Sequence, residues 1–286
     1  MGDEDGRCRR DAAAACTATL MTSMTRRSFA VGAATAAVNL RLKAAARLRI
    51  GIGTYSYHSL PMEAMVAQLN ALRIREIEMS RGEFMLLSHP DEERFRSARA
   101  LFDKSQIRCV SYYAATIHDA HELDLAIRFA RLLGSVNITG DATGDALLAL
   151  IDQRCTAAGL TFGIHNHYFK TKFAYESPED VLRALAGRSP AMGATLDIGH
   201  IASCGYDPVD AVRKLGPYLK LVHLKDVAAA HGEDNVLLGR GIAKIPEVMQ
   251  ALRQRNFSGL AAIEYEKEGP VEEDMRKDVA YARRLA

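Results

Sequence analysis

The sequence has no excess of charge of either sign, no long apolar run and no cysteine pair. Its 37 basic and 35 acidic side chains leave a formal charge of +2, so nothing draws it generally toward nucleic acid or anionic lipid. No stretch reaches the roughly 18 consecutive apolar residues of a spanning helix, and no stable membrane association is expected. The five cysteines, Cys8, Cys16, Cys109, Cys155 and Cys204, are scattered and never spaced C-x-x-C; the last three read as small apolar fillers. A G-x-G-x-x-G turn is also missing. Gly51-Ile52-Gly53 lies inside the first expected strand and lacks the third glycine, which counts against an open doubly wound sheet. What is present is 286 residues, 48% hydrophobic and 25% charged, enough for one large core in an ordinary globular chain.

Residues 1–47 read as an address rather than as fold. Thr25-Arg26-Arg27-Ser28-Phe29 is followed by a weakly apolar run rich in alanine and glycine, from Ala30 to Val38. A paired arginine, a phenylalanine and then such a run resemble a twin-arginine export signal. The expected location is therefore periplasmic or cell-envelope, with translation starting at Met1, Met21 or Met24 and Ala44 to Ala46 as a candidate cleavage region.

From Leu48 to Ala286, β-rich runs alternate with amphipathic stretches. Strands are expected at 49–54, 73–78, 108–112, 135–139, 161–165, 193–197, 219–223 and 260–264. Between them, Met65, Val66, Leu69 and Leu72 form one apolar stripe at helical spacing. Phe95, Ala98, Leu101 and Phe102 form another, and Leu123, Ile127, Ala130 and Leu133 a third. Ser177-Pro178-Glu179-Asp180 and Asp207-Pro208-Val209-Asp210 mark two helix starts, each with a capping side chain, proline at the first helical position and acids in the first turn. Strands and helices alternating eight times predict a single-domain (β/α)₈ barrel over 48–286.

In such a barrel the chemistry sits at the C-terminal ends of the strands. Here those ends read Ile77-Glu78, then His165-Asn166-His167, Asp197-Ile198-Gly199-His200, His223-Leu224-Lys225-Asp226 and Ile263-Glu264. Side chains alternate along a strand, so His165 shares a face with His167 and His223 with Lys225. If those faces point into the mouth, Asp197, His223 and Glu264 converge from three successive strands, with His165 beside them. Two carboxylates and imidazole suit one divalent ion, Mn²⁺, Mg²⁺, Co²⁺ or Zn²⁺, with positions left for substrate oxygens. Each residue has an ordinary structural alternative; Asp197 and Glu264 could simply cap the next helices. Four successive strands bearing such residues at one end favour the metal.

These motifs, with Gly239-Arg240-Gly241, make 48–286 resemble the xylose isomerase-like barrels, a group of sugar isomerases, epimerases and dehydratases that also includes endonuclease IV-type nucleases. The resemblance implies metal ligands from strands five to eight, here His165, Asp197, His223 and Glu264, although many relatives have glutamate where His165 stands. It implies proton handling by His167, with Lys225 and Glu264 also catalytic, and substrate contacts from His200, Glu78 and His165. The implied activity is a metal-dependent isomerase or epimerase acting on a sugar or keto-sugar through an enediolate. A dehydratase or lyase is the alternative ending. The implied partner is a small sugar, and a homo-oligomer is compatible with it. A nuclease would need histidines at strands two and three and an Asp-x-His after strand seven; Glu78, Tyr112 and Tyr113 stand at the first two places, and no Asp-x-His follows Asp226. A non-catalytic sugar-binding barrel would not be expected to retain the whole ligand set.

Overall fold

The computed structural model describes residues 47–85, 87–168 and 175–286. The expected leader, with Arg26, Arg27 and the cleavage region, lies outside them.

Eight parallel strands close into a barrel in the order β1 (Arg49–Gly53), β10 (Leu260–Ile263), β7 (Leu219–Leu224), β6 (Met192–Asp197), β5 (Thr161–His165), β4 (Asn137–Asp141), β3 (Arg108–Thr116) and β2 (Glu76–Met79). A two-stranded antiparallel ribbon, β8 (Asp226–Val227) with β9 (Asn235–Val236), is inserted after β7. The (β/α)₈ architecture read from the alternation is therefore the one observed. No helix among the described residues is long and apolar enough to cross a membrane.

The expected apolar stripes face the barrel. Met65, Val66 and Leu69 are buried in helix Met62–Ala71, Phe95, Ala98 and Phe102 in Glu92–Lys104, and Leu123, Ile127, Ala130 and Leu133 in Ala120–Leu133. Both marked helix starts form. Ser177 and Asp180 make a reciprocal capping box at Pro178–Leu185, and the Asp207 side chain accepts from the amides of Val209 and Asp210 at Pro208–Leu215.

Two strand windows shift, each because a helix exit takes residues from it. β2 begins at Glu76 rather than 73, since Arg73 adopts φ +53° and the Ile74 amide folds back onto the Leu69 carbonyl at 2.8 Å. β4 runs over Asn137–Asp141 rather than 135–139. Gly134 is left-handed (φ +73°) and the Ser135 amide closes onto the Ala130 carbonyl at 2.8 Å. The second shift brings Asp141 onto a strand.

The barrel interior is small and increasingly polar toward the C-terminal end. Leu221, Leu260 and Ala262 form a compact apolar layer. Beyond it the hydroxyls of Ser111, Thr139 and Thr195 bond in sequence at 3.0 and 2.9 Å. Gly163 completes this layer, because a Cβ there would meet Thr195 Oγ1 at 2.3 Å.

At the mouth, Asp226 organises the loop after the ribbon. Its carboxylate accepts from the amides of Val227, Gly239, Gly241 and Ala243 at 2.9–3.0 Å. Gly241 has to be glycine, since a Cβ would lie 2.1 Å from the Val227 carbonyl and 2.4 Å from Asp226 Oδ1. Gly239 turns through φ +81°. The Gly239-Arg240-Gly241 motif thus answers a backbone demand.

Candidate active site

The strand-end residues singled out from the sequence meet at the C-terminal mouth, all of them buried. His223, near the end of β7, is the hub. Its Nδ1 lies 3.2 Å from His165 Nε2, 2.7 Å from Glu264 Oε2 and 3.8 Å from Asp197 Oδ2. Four ligands about 2.1 Å from one ion in a tetrahedron would be about 3.4 Å apart, and these spacings bracket that value. Asp197 Oδ2 and Glu264 Oε2 are buried and met only by ion pairs without well-directed hydrogen bonds, from Lys225 Nζ at 3.0 Å and His223 Nδ1 at 2.7 Å; His165 Nδ1, the nitrogen of that ring turned away from His223, has no hydrogen-bond partner among the described residues. Buried carboxylate oxygens without well-directed donors are costly, and here they adjoin two imidazoles. The donor set fits a divalent cation.

Asp197 also meets its ordinary structural expectation. Oδ1 accepts from the His200 amide at 2.9 Å and caps helix Ile198–Ser203, while Oδ2 faces the cluster. One carboxylate therefore serves both roles. Asn166, between the two histidines, ties β5 to β6: its Nδ2 donates to the Asp197 carbonyl at 3.0 Å and its Oδ1 accepts from the Asp197 amide at 2.9 Å. This side chain continues the parallel ladder past the strand end and was not visible as such in the sequence.

Glu78, expected to contact substrate, lies deeper. It is fully buried, accepting from Ser111 Oγ at 2.8 Å and approaching His223 Nε2 at 2.5 Å. It grips the nitrogen of His223 that faces away from the cluster, which fixes ring orientation and raises the basicity of the other nitrogen.

His167 points at a partner the sequence reading missed. Its Nε2 is 3.0 Å from Asp141 Oδ2, and Thr116 Oγ1 donates to the same oxygen at 3.2 Å. Asp141 is buried at the end of β4. Strand parity was the available signal, since Asp141 shares a face with Asn137 and Thr139.

Lys225 is buried among acceptors, with Nζ 3.0 Å from Asp197 Oδ2, 3.0 Å from Glu266 Oε1 and 3.0 Å from His200 Nε2. Burial opposes its charge, but Asp197, Glu264 and Glu266 hold the ammonium well above the ordinary lysine value. It is a fixed positive charge. Burial takes His200 down to about 4, with Lys225 pushing the same way and Asp197 opposing. The neutral ring sets Nδ1 against the Asn166 carbonyl at 3.1 Å, so its 3.4 Å approach to Asp197 Oδ2 is not an ion pair. Burial also drives His165 well below the usual histidine value, helped by the imidazoles of His167, His223 and His200. His223 goes the other way: burial is outweighed by Glu264 and Glu78, which hold it well above. Burial opposes both carboxylates too, yet Lys225 and His223 hold Asp197 well down, and His223 and Lys225 bring Glu264 to about 2.

Two groupings could offer ligand atoms to an ion, His165–Asp197–His223 and His165–His167–His200. In the second, His167 is engaged by Asp141, and His200 by Asn166 and Lys225. The first carries anionic charge, on Asp197.

The profile of the xylose isomerase-like TIM barrel family matches residues 55–285. Among solved structures, the probable 3-DHS dehydratase of petrobactin synthesis from Bacillus anthracis superposes with a TM-score of 0.67 at 15% identity, over 82% of this chain and 98% of that one. The 3-keto-D-glucoside 4-epimerase of E. coli gives 0.65 at 12% identity, over 84% and 100%. A sugar phosphate isomerase/epimerase from Parabacteroides distasonis ATCC 8503 gives 0.63 at 16% identity, over 84% and 95%. A 70-residue stretch, 24% of the chain, is 36% identical to an uncharacterized protein of Mycobacterium tuberculosis (strain ATCC 25618 / H37Rv) and spans 25% of it, so the chain matches about a quarter of the length of that curated relative.

Proposed function

Because the chain belongs to the xylose isomerase-like TIM barrel family, we propose that it is a divalent-metal-dependent isomerase or epimerase that moves a proton on a sugar or keto-sugar. One observation carries this reading: four side chains from β5, β6, β7 and the end of β10 converge, two of them buried carboxylates, beside a histidine braced by a carboxylate. His165, Asp197, His223 and Glu264 would hold the ion. A divalent ion held there would supply Lewis-acid polarisation to a substrate carbonyl and so favour proton loss from the adjacent carbon. His167 is the base. Asp141 meets Nε2, which orients the ring and sets its tautomer. Lys225 supplies a fixed charge to an anionic oxygen, and His200 is positioned by Asn166 to meet a hydroxyl.

A second ending, loss of a β-oxygen substituent, is favoured by one feature. His165 replaces the strand-five glutamate of many relatives, so His167 with Asp141 is the proton-moving pair the site offers, and elimination needs one base on one face. The fold similarity to a probable dehydratase is consistent with it.

Incubation of the Mn²⁺-loaded protein with a panel of aldoses and keto-sugars in D₂O tests both. Exchange of the acidic C–H is expected, with isomer formation under the first ending and an unsaturated product under the second. No exchange with any member would refute the proton-transfer reading. His165→Ala should recover some exchange at saturating Mn²⁺, whereas His167→Ala should not.

The Arg26-Arg27 pair supports export to the periplasm or cell envelope as a proposal of its own. Replacing both with lysine should leave the folded protein in the cytoplasm, and equal export of the double variant would overturn it.

A further inference from the structure

Beside the metal-ligand cluster lies a second hollow, of about 180 Å³, whose lining includes Tyr168, His200, Ser203, Glu233, Asn235 and Glu266. Barrel closure does not require it. One wall is the β8–β9 ribbon, an insertion outside the eight-strand ring. The turn of the ribbon is fixed at both ends: the Ala228 amide donates to the Asp234 carbonyl at 2.9 Å, and the His231 amide to the Ser203 carbonyl at 2.7 Å. Asn235 then joins the ribbon to the segment after β10. Its Oδ1 accepts from the Glu266 amide at 3.2 Å and its Nδ2 donates to the Glu233 carbonyl at 3.0 Å. This single side chain sets the carboxylates of Glu233 and Glu266 on one hollow.

We infer that the hollow seats a second hydroxyl-bearing ring attached to the reacting sugar, so that the substrate is a glycoside or disaccharide rather than a free monosaccharide. The inference rests on the sugar reading above. Three features carry it. The hollow shares His200 and Glu266 with the site, so its occupant is contiguous with whatever reacts. At about 30 Å³ per water it holds about six waters, the room of one sugar ring and less than the roughly 300 Å³ at which drug-sized pockets begin. Its chemistry suits an uncharged polyol. The half-buried Tyr168 ring, tilted against His200 at 5.2 Å, offers a face for ring C–H groups. Glu233 and Glu266 offer acceptors for hydroxyls.

Calorimetric titration of the full-length, Mn²⁺-loaded protein with matched pairs tests this: glucose with cellobiose, galactose with lactose, xylose with xylobiose and mannose with mannobiose. At least one disaccharide should bind tenfold or more tightly than its monosaccharide. Glu233→Ala and Tyr168→Ala should each cut that disaccharide's affinity toward the monosaccharide value. They should leave monosaccharide affinity unchanged, which also reports correct folding. Monosaccharides binding as tightly as every disaccharide, or variants that leave the ratio unaltered, would overturn the subsite alone. Failure of every sugar to bind would remove the sugar reading and the subsite with it.

Discussion

The two ends of the barrel are built from the same strands and do opposite things with charge. At the N-terminal end, Glu76 takes a two-pronged contact from Arg49 at 2.7 and 2.8 Å and a further one from Arg108. Arg99, Arg131 and Arg253 donate to the carbonyls of Leu133, Ala158 and Leu285, where helices end. Charges there complete the backbone and one another. At the C-terminal end, buried carboxylates crowd against imidazoles and an ammonium. Volume alone would mislead, since the hollow at the N-terminal end, lined by Arg49, Arg99, Arg108 and Lys220, measures about 510 Å³ against about 180 Å³ at the other. The crowded buried titratable groups, not the larger space, mark the candidate site.

This contrast can be broken by mutation, and the effects should fall in a definite order. Asp197→Asn, His223→Ala and Glu264→Ala should each abolish tight binding of one divalent ion per chain, read by metal analysis after gel filtration. Each should also lower C–H exchange by at least about 10²-fold, since an open-site metal supplies several kcal/mol. Stoichiometric ion in all three would remove the distinction between the ends. Asp141→Asn should keep the ion and lower exchange by about 10²-fold, the scale of a positioned general base; wild-type exchange would show that His167 needs no orienting partner. Glu78→Gln should weaken metal affinity by about 10- to 100-fold, as is usual when the far nitrogen of a ligating histidine loses its carboxylate. At the opposite end Glu76→Gln should cost only about 1 kcal/mol or less and leave exchange untouched. The Arg49 hydrogen bond leads the groups that hold Glu76 below the ordinary carboxylate value of 4.5, against burial. Its contribution is therefore present above that value and lost as pH falls through the lowered one. Denaturant titrations should show the two proteins diverging at pH 7 and converging in acid; divergence that persists in acid would assign the effect to packing.

The comparison also shows where a sequence is readable. His165, Asp197, His223 and Glu264 could be found because each ends a strand, and the two-residue period puts them on one face without knowledge of any partner. Asp141 escaped because the exit of helix Ala120–Leu133 consumes Ser135 and moves the β4 window by two residues. The move preserves parity but changes which residue reaches the mouth. Glu78 was located, but its partner was not: its contact with His223 spans the barrel between residues 145 positions apart, a distance that only closure makes short. Asn166 looked like a spacer, because a side chain standing in for a ladder bond has no periodic signature. The ribbon that builds the second hollow has strands of only two residues each, too short to register as alternation.

Asp226 has a consequence in time rather than in place. A carboxylate that captures four amides can release the segment from Gly239 to Ala243 only by surrendering several charge-assisted bonds together. That stretch of the rim should stay shut through many turnovers, and its amide protons should be slow to trade with solvent. Arg240, within that stretch, is then carried on a fixed arm instead of a swinging one.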